Sequence, residues 1–464
     1  MNSTAGNGGE QLGDEQLDDA PAQDTARDAA HGGEQPGDDA SLLSNRPFLL
    51  LLAARTLSMM GFVFAPVALA FGILAMPGGE AWMISAVLGA QLTPEVLLAL
   101  FGGVIADRYP RAYVMRAGLA VSGIGWLTLG GMMVLGPASV WAMCLAAALT
   151  GLAAAVVYPA LTGIIPDLVP RTQLQQANAW LGMGGSVARL TGLVSAGAVV
   201  VALGGGWALV CAAGLYLISA VLALWLPISR DSLARGERVL RQLVEGWVEF
   251  KSRQWLWVVV CESGLLIMAF EAFQGVLGPL IAVEELPGAI VLGTRPLAGE
   301  MVWTLILAGE ALGAIVGVFI SLVWRPARPI LVGAVLTLAA VAPPVLLGVG
   351  AHAWVVIGSA ALMGLGFEIF GVLYLTTLQN EIPPTLLSRV AAYDAFGSMV
   401  LAPVGAIVAA PLATWLGVRP AMMWAGALVL VVTVAAICSP GVRHLRVRPL
   451  PGSGPAVTSP GPAS

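Results

Sequence analysis

Five ionisable side chains, Glu95, Arg189, Glu271, Glu310 and Glu368, stand near the middle of long apolar runs. At the centre of a bilayer each costs roughly 2.5–3.5 kcal/mol on insertion scales, so such groups pair with one another or face water. One arginine and four carboxyls can do two kinds of chemistry there: charge pairing and reversible protonation. Arg189 has two candidate partners, Glu310 and Glu95. Glu95, Glu271 and Glu368 have no basic residue within one helical turn in sequence and are the candidates for taking up and losing a proton. Glu368, in the string GLGFEIFG, is the first expectation and Glu95 the second. The alternative for every member is a structural pair that holds helices together. Arg55, Glu262 and Asp394 fall in similar runs, nearer one end.

The elements that must position these groups follow from composition. A mean hydropathy of +0.86, with 58% hydrophobic and 11% charged residues, excludes a soluble domain, whose composition is roughly 25% charged. A spanning helix needs about 20 apolar residues. Twelve runs qualify: 48–76, 82–105, 112–135, 138–165, 173–203, 206–228, 255–283, 300–323, 329–349, 352–381, 386–412 and 417–439. Pro66, Pro94, Pro159, Pro279 and Pro403 inside them are compatible with membrane helices, whose neighbours can satisfy a freed carbonyl. The expected fold class is an all-α membrane protein. Trp126, Trp141, Trp207, Trp255, Trp257 and Trp354 lie near span ends, as interfacial anchors do.

Arg and Lys orient such a bundle. With the amino terminus inside, the inner connectors carry seventeen basic residues, from Arg46 through Arg108, Arg111, Arg116 and the 230–253 group to Arg448, and the outer ones only Arg295 and Arg419. Both termini are therefore expected in the cytoplasm. Residues 1–45 form an acidic cytoplasmic tail expected to be disordered, because it has no apolar periodicity to bury. The remaining domains are a six-helix half, 46–228, a cytoplasmic amphipathic linker, 229–254, a second half, 255–439, and a tail, 440–464. Leu233, Val239, Leu240, Leu243, Val244, Trp247 and Phe250 make one apolar side of the linker, the pattern of an interfacial helix. Cys144, Cys211, Cys261 and Cys438 show neither metal nor disulfide spacing. No phosphate-binding Gly loop ending in Lys-Ser or Lys-Thr occurs, which argues against direct ATP drive. No metal, cofactor or nucleic-acid partner is implied, and a monomer is expected.

An internal repeat links the halves. Residues 169–196 align without a gap on 382–409: Pro170, Thr172, Leu174, Ala179, Gly184, Val187, Gly192 and Ala196 each meet the same residue type. At the same offset Gly151 meets Gly364. Two six-helix halves related by an axis along the membrane normal follow from such a repeat.

Residues 101–111, FGGVIADRYPR, resemble the cytoplasmic loop signature of the major facilitator superfamily, G-x-x-x-D-R-x-G-R. Gly103, Asp107, Arg108 and Arg111 match it, and Pro110 stands where the family has Gly. The stretches PDLVPRTQLQQANAW and IPPTLLSRVAAYDAFGS resemble the branch that includes enterobactin exporters and macrolide efflux permeases. The chain departs from drug antiporters at Gly192–Gly197, which lacks their G-P-x-x-G-G, and at Ala147, where many proton-linked relatives have Arg.

The resemblance implies the twelve-helix major facilitator fold and a non-enzymatic inner-membrane permease. Such a protein exports a small amphipathic molecule, a drug, antibiotic or secreted metabolite, by alternating access with protons as coupling ion. A siderophore exporter, an uptake symporter and a non-transporting sensor or assembly subunit are the alternatives. It further implies that Asp107 and Arg108 secure their loop against the start of the eleventh span, where Arg389 and Asp394 stand. A substrate cavity between the halves would be walled by Phe62, Phe64, Tyr158, Phe270, Phe273, Phe367, Phe370 and Tyr374.

Overall fold

Lipid offers no hydrogen bonds, so each apolar run closes its backbone polar groups on itself. The computed structural model describes residues 42–136, 139–170, 173–227, 247–292 and 295–446. Within these, the side chains of 99–108, 158–159, 162–163, 166–167, 175, 292, 384–385 and 388 lie outside the description. Twelve helices are long and apolar enough to span. They are α1 (Arg46–Ala75), α2 (Ala81–Arg108), α3 (Arg111–Leu135), α4 (Val140–Gly163), α5 (Leu174–Leu203) and α6 (Gly205–Ala223), followed by α7 (Gln254–Glu285), α8 (Gly299–Val323), α9 (Pro329–Gly348), α10 (Ala353–Glu381), α11 (Pro384–Met399 continued by Ala402–Leu416) and α12 (Val418–Cys438). A two-residue hairpin, Val291–Leu292 with Arg295–Pro296, lies between α7 and α8. The end of the bundle where α1 begins is called the basic end below.

Irregular turns mark the prolines, each of which removes a donor and crowds the carbonyl one turn back. A π-helical segment, Glu271–Leu277, precedes Pro279 in α7. A 3₁₀ turn, Leu338–Val341, precedes Pro343 and Pro344 in α9, and α11 breaks at Val400–Leu401, before Pro403. Pro66 and Pro94 stay inside continuous helices.

The repeated residues are places where helices touch. A methyl on Gly151 would come within 1.9 Å of the Gln91 carbonyl on α2, and one on Gly364 within 2.0 Å of the Glu310 carbonyl on α8. Gly192 packs against Val63 and Met60 of α1, and its counterpart Gly405 against Met268 of α7. Gly184 meets Leu52 and Thr56 of α1, and Gly397 meets Val260 of α7. The two halves therefore repeat the same helix pairs, α1 with α5 and α2 with α4, then α7 with α11 and α8 with α10. Small residues serve here because van der Waals approach, rather than water exclusion, joins helices in lipid.

Three sequence expectations need adjustment. The sixth run ends at Ala223, not 228, because Arg116 donates from Nε to the Ala223 carbonyl at 2.7 Å and from Nη2 to the Leu226 carbonyl, capping the helix C-terminus. The eleventh continues to Leu416. Trp126 and Trp255 are core residues, 3% and 5% exposed, rather than interface anchors; Trp255 sits edge-on to Tyr374. The tail and linker expectations at 1–41, 228–246 and 447–464 lie outside the described residues.

Gly364→Ala should lower the melting temperature of purified protein, at an overpacking cost of about 1–3 kcal/mol. Gly358→Ala, on the same helix with nothing within 4 Å, should be neutral or stabilising by up to about 1 kcal/mol. Equal melting temperatures for the two variants would contradict the close α8–α10 contact.

Candidate functional site

The halves touch mainly through α5 against α8 and α2 against α11, with further contacts from α1 and α2 to α7. Their close contacts lie at mid-depth or toward the end opposite the basic one. Gly197 on α5 faces Thr304 on α8, Gly89 on α2 faces Ile407 on α11, and Gly275 on α7 faces Leu88 on α2. The Ala410 N–H donates to Ser85 Oγ at 3.3 Å across the same seam. Toward the basic end, Gly182 and Gly185 on α5, one to two turns below Arg189, have no atom within 4 Å of the place of a Cβ.

A charged contact between the halves lies at mid-depth. Arg189 Nη2 on α5 donates to Glu310 Oε1 on α8 at 2.9 Å. The Glu310 side chain is 5% exposed and that of Arg189 38%, so the carboxylate is in the protein and the guanidinium reaches the open side. Glu310 Oε2 accepts from Gln274 Nε2, which the π segment of α7 presents. Both carboxylate oxygens are thus satisfied, by one residue from each half. A π turn widens the helix and re-aims its side chains, which is why such turns recur at functional sites. Of the two partners that the sequence allowed Arg189, the structure brings up Glu310.

The other midplane carboxyls divide by their surroundings. Glu368 on α10 follows Gly364 by one turn, backs onto Gly317 of α8, and lies in the field of Arg189. Glu95 on α2 and Glu271 on α7 are electrostatic neighbours across the seam. Among the described residues, neither forms an ion pair. Carboxyls from opposite halves thus sit within electrostatic reach of one another, where a proton on either would relieve repulsion.

The aromatic residues are distributed otherwise than expected. Phe64, Phe273 and Phe370 are buried at 2%, 3% and 9%, so in this state they are core rather than wall. Phe273 sits edge-on to Trp303, Phe270 edge-on to Phe367, and Phe370 stacks on Tyr374. Phe270, Phe273 and Phe367 border a small apolar recess inside the second half with Leu266, Ala340, Met363 and Val429. Ring burial inside a helix bundle outweighs exposure to a cleft, and sequence alone does not say which side of a helix faces which space. Phe62 is 51% exposed; the Tyr158 side chain lies outside the described residues.

At the basic end Asp394 accepts from Tyr374 Oη at 2.6 Å, a partner that sequence reasoning missed. Arg111 and Arg389 are half-buried and engaged. The side chains of Asp107 and Arg108, with Gly103, lie outside the described residues, so their contact with the start of α11 is not among the geometry described. Gln274 was missed because it is uncharged; Pro279, with Gly275 and Gly278 before it, was the available signal for an irregular turn in α7.

A sequence profile described as the Major Facilitator Superfamily matches residues 48–406. The chain belongs to the major facilitator superfamily. It is 28% identical over 387 residues to the enterobactin exporter EntS of Citrobacter koseri, covering 79% of this chain and 88% of that one. It is 27% identical over 424 residues to EntS of Escherichia coli K12, covering 88% and 96%. Among solved structures, the nucleoside transporter NupG superposes with a TM-score of 0.63 at 13% identity, over 86% of this chain and 100% of that one. That likeness establishes the fold. The chain is thus a multi-pass membrane transporter of the superfamily, in which the Arg189–Glu310–Gln274 contact ties the two halves together.

Arg189→Ala should lower the stability of the purified protein by about 3–5 kcal/mol, because it strands a buried carboxylate. Glu310→Ala should also destabilise it, and the double variant should recover part of the loss. Strict additivity in thermal unfolding would remove the pair.

Proposed function

We propose that this major facilitator exports a small amphipathic molecule across the bacterial inner membrane by alternating access, using proton antiport. The observation that carries the reading is the seam itself: glycine contacts and the Arg189–Glu310 pair join the halves at and beyond mid-depth, whereas Gly182 and Gly185, below that pair, face open space. With the basic end in the cytoplasm, as the distribution of Arg and Lys supports, this is an inward-open state. Relatives named as enterobactin exporters support outward movement of cargo.

Glu95 and Glu271 are our choice of proton carriers. Closing the outer seam draws them together, a step that a bound proton favours and a pair of negative charges opposes. Protons would therefore enter from the outside, ride the return to the inward-open state, and leave for the cytoplasm before cargo binds. Glu368, first on sequence grounds, is second here because Arg189 compensates its charge. A siderophore is the cargo class that the relatives' names support. The excess of carboxyls over arginine at mid-depth instead supports a cationic amphipath, which a charge-matched site attracts.

Transport in inside-out vesicles decides between these. Accumulation of a catechol siderophore or of a lipophilic cation should rise when the lumen is acidic. Glu95→Gln and Glu271→Gln should each lose most of that acceleration while still binding cargo, and Glu368→Gln should keep it. Export indifferent to the gradient in the wild type would sink proton antiport.

A further inference from the structure

One buried carboxyl takes no part in the seam. Glu262 on α7 is 2% exposed, inside the second half, between α9 and α12. Two hydroxyls accompany it: Thr337 on α9, 1% exposed, and Thr433 on α12, fully buried. All three lie about two helical turns from the basic end, counting about 1.5 Å per residue. Apolar layers enclose them. Leu266, Ala340 and Val429, each one turn on, cover one side, and Trp255, Val259 and Ile330 cover the other.

The polar atoms satisfy one another only in part. Thr337 Oγ1 gives its hydrogen to the Ala334 carbonyl at 2.8 Å. The same hydroxyl lies 3.4 Å from Glu262 Oε1, so its single hydrogen has two acceptors and can serve only one of them at a time. Glu262 Oε2 and Thr433 Oγ1, on facing helices, are both buried without a hydrogen-bond partner. Charged groups on the surrounding elements are Glu271, Glu284 and Glu285 on α7, Arg328 before α9, Arg389 and Asp394 on α11, Arg419 on α12, and Arg443 and His444 beyond it. Among the described residues none is paired with Glu262. A buried carboxylate with one oxygen unpartnered and no cationic side chain beside it is costly unless a cation or a proton neutralises it.

Packing does not demand a carboxylate at this place. In the register set by Met60 and Met268, Glu262 corresponds to Ala54 of α1, and there Ser219 of α6 simply donates to the Ala54 carbonyl. The first half thus fills the equivalent position with a methyl and a satisfied hydroxyl.

We propose that Glu262, Thr337 and Thr433 form a monovalent-cation site, separate from the seam, that holds Na⁺ or a proton. Two oxygens sharing an ion at about 2.4 Å, the bond length of Ca²⁺ and of the similarly sized Na⁺, stand about 3.4 Å apart when at right angles. That matches the spacing of Oε1 and Thr337 Oγ1. A proton on Glu262 would serve the same end by turning one of its oxygens into a donor. Because α7 also carries Gln274 and Glu271, an ion here sits on one of the helices that meet at the seam.

Full-length protein in lipid nanodiscs tests this without any transport, so its outcome is independent of the exporter reading. Radioactive Na⁺ binding and infrared spectra are recorded at neutral pH. Saturable Na⁺ binding at one site per chain, lost in Glu262→Gln, assigns Na⁺. Without such binding, a protonated-carboxyl band absent from Glu262→Gln assigns a proton. Thr337→Val and Thr433→Val preserve shape; each should weaken Na⁺ about tenfold, at least the loss seen for outer-shell partners of metal sites, or shift the carboxyl band. They carry the test if Glu262→Gln does not fold. An ionised Glu262 with no bound Na⁺, or two valine variants indistinguishable from wild type, overturns the site.

Discussion

The absence of water inside the bilayer governs every part of this protein. A backbone amide, a guanidinium or a carboxylate there has only protein to meet it. That explains the helices, and it also explains why polar contacts are few and consequential. Arg189, Glu310 and Gln274 form one closed arrangement, in which each oxygen of the carboxylate has a donor and the donors come from both halves. An arrangement of this kind is strong when complete and costly when broken. It therefore suits a place where two bodies must be registered against one another and yet move.

Helix packing obeys the same constraint from the apolar side. Lipid tails are as apolar as leucine, so helices gain little by hiding side chains from them and gain instead by approaching closely. Gly309, Gly313 and Gly317 on α8 lie against α10, and Gly364 on α10 lies against the Glu310 carbonyl. The glycine that lets α10 approach is thus also what holds the backbone of Glu310 in place. Glycines at the seam, Gly89, Gly197 and Gly275, act likewise between the halves. There the partners are the tips of Ile407, Thr304 and Leu88, which can separate without breaking a network.

The halves are related but no longer alike. Gln91 stands where the second half has Glu310, as the matched contacts of Gly151 and Gly364 require. Ala54 stands where it has Glu262. Charge has been concentrated in the second half, on α7, α8 and α10, while Arg189 and Glu95 supply the first half's share. Such division lets one half carry most of the titratable groups and the other act as the surface against which they close.

Much of this was legible from residue order. Run lengths and charge bias were enough for twelve spans, because the bilayer sets a span length and the apolar content declares it. The repeat was legible because Gly151 and Gly364, or Gly192 and Gly405, cannot be replaced where backbones meet. That Glu95, Arg189, Glu271, Glu310 and Glu368 need a partner or water was legible from their cost in lipid alone. What residue order could not decide was which of them meet. Pairing depends on how α5, α7 and α8 rotate and cross, and a π turn before Pro279 alters that rotation in α7. Only the folded bundle put Glu310 rather than Glu95 beside Arg189, brought in the uncharged Gln274, and placed Glu368 in the field of Arg189 while setting Glu95 against Glu271. The burial of Phe64, Phe273 and Phe370 was decided at the same level, since a helix that lines a cleft has a second face turned into the core. Sequence determines what a side chain can do, whereas the neighbours that make it do so come from elements over a hundred residues away in the chain, as Arg189 and Glu310 are.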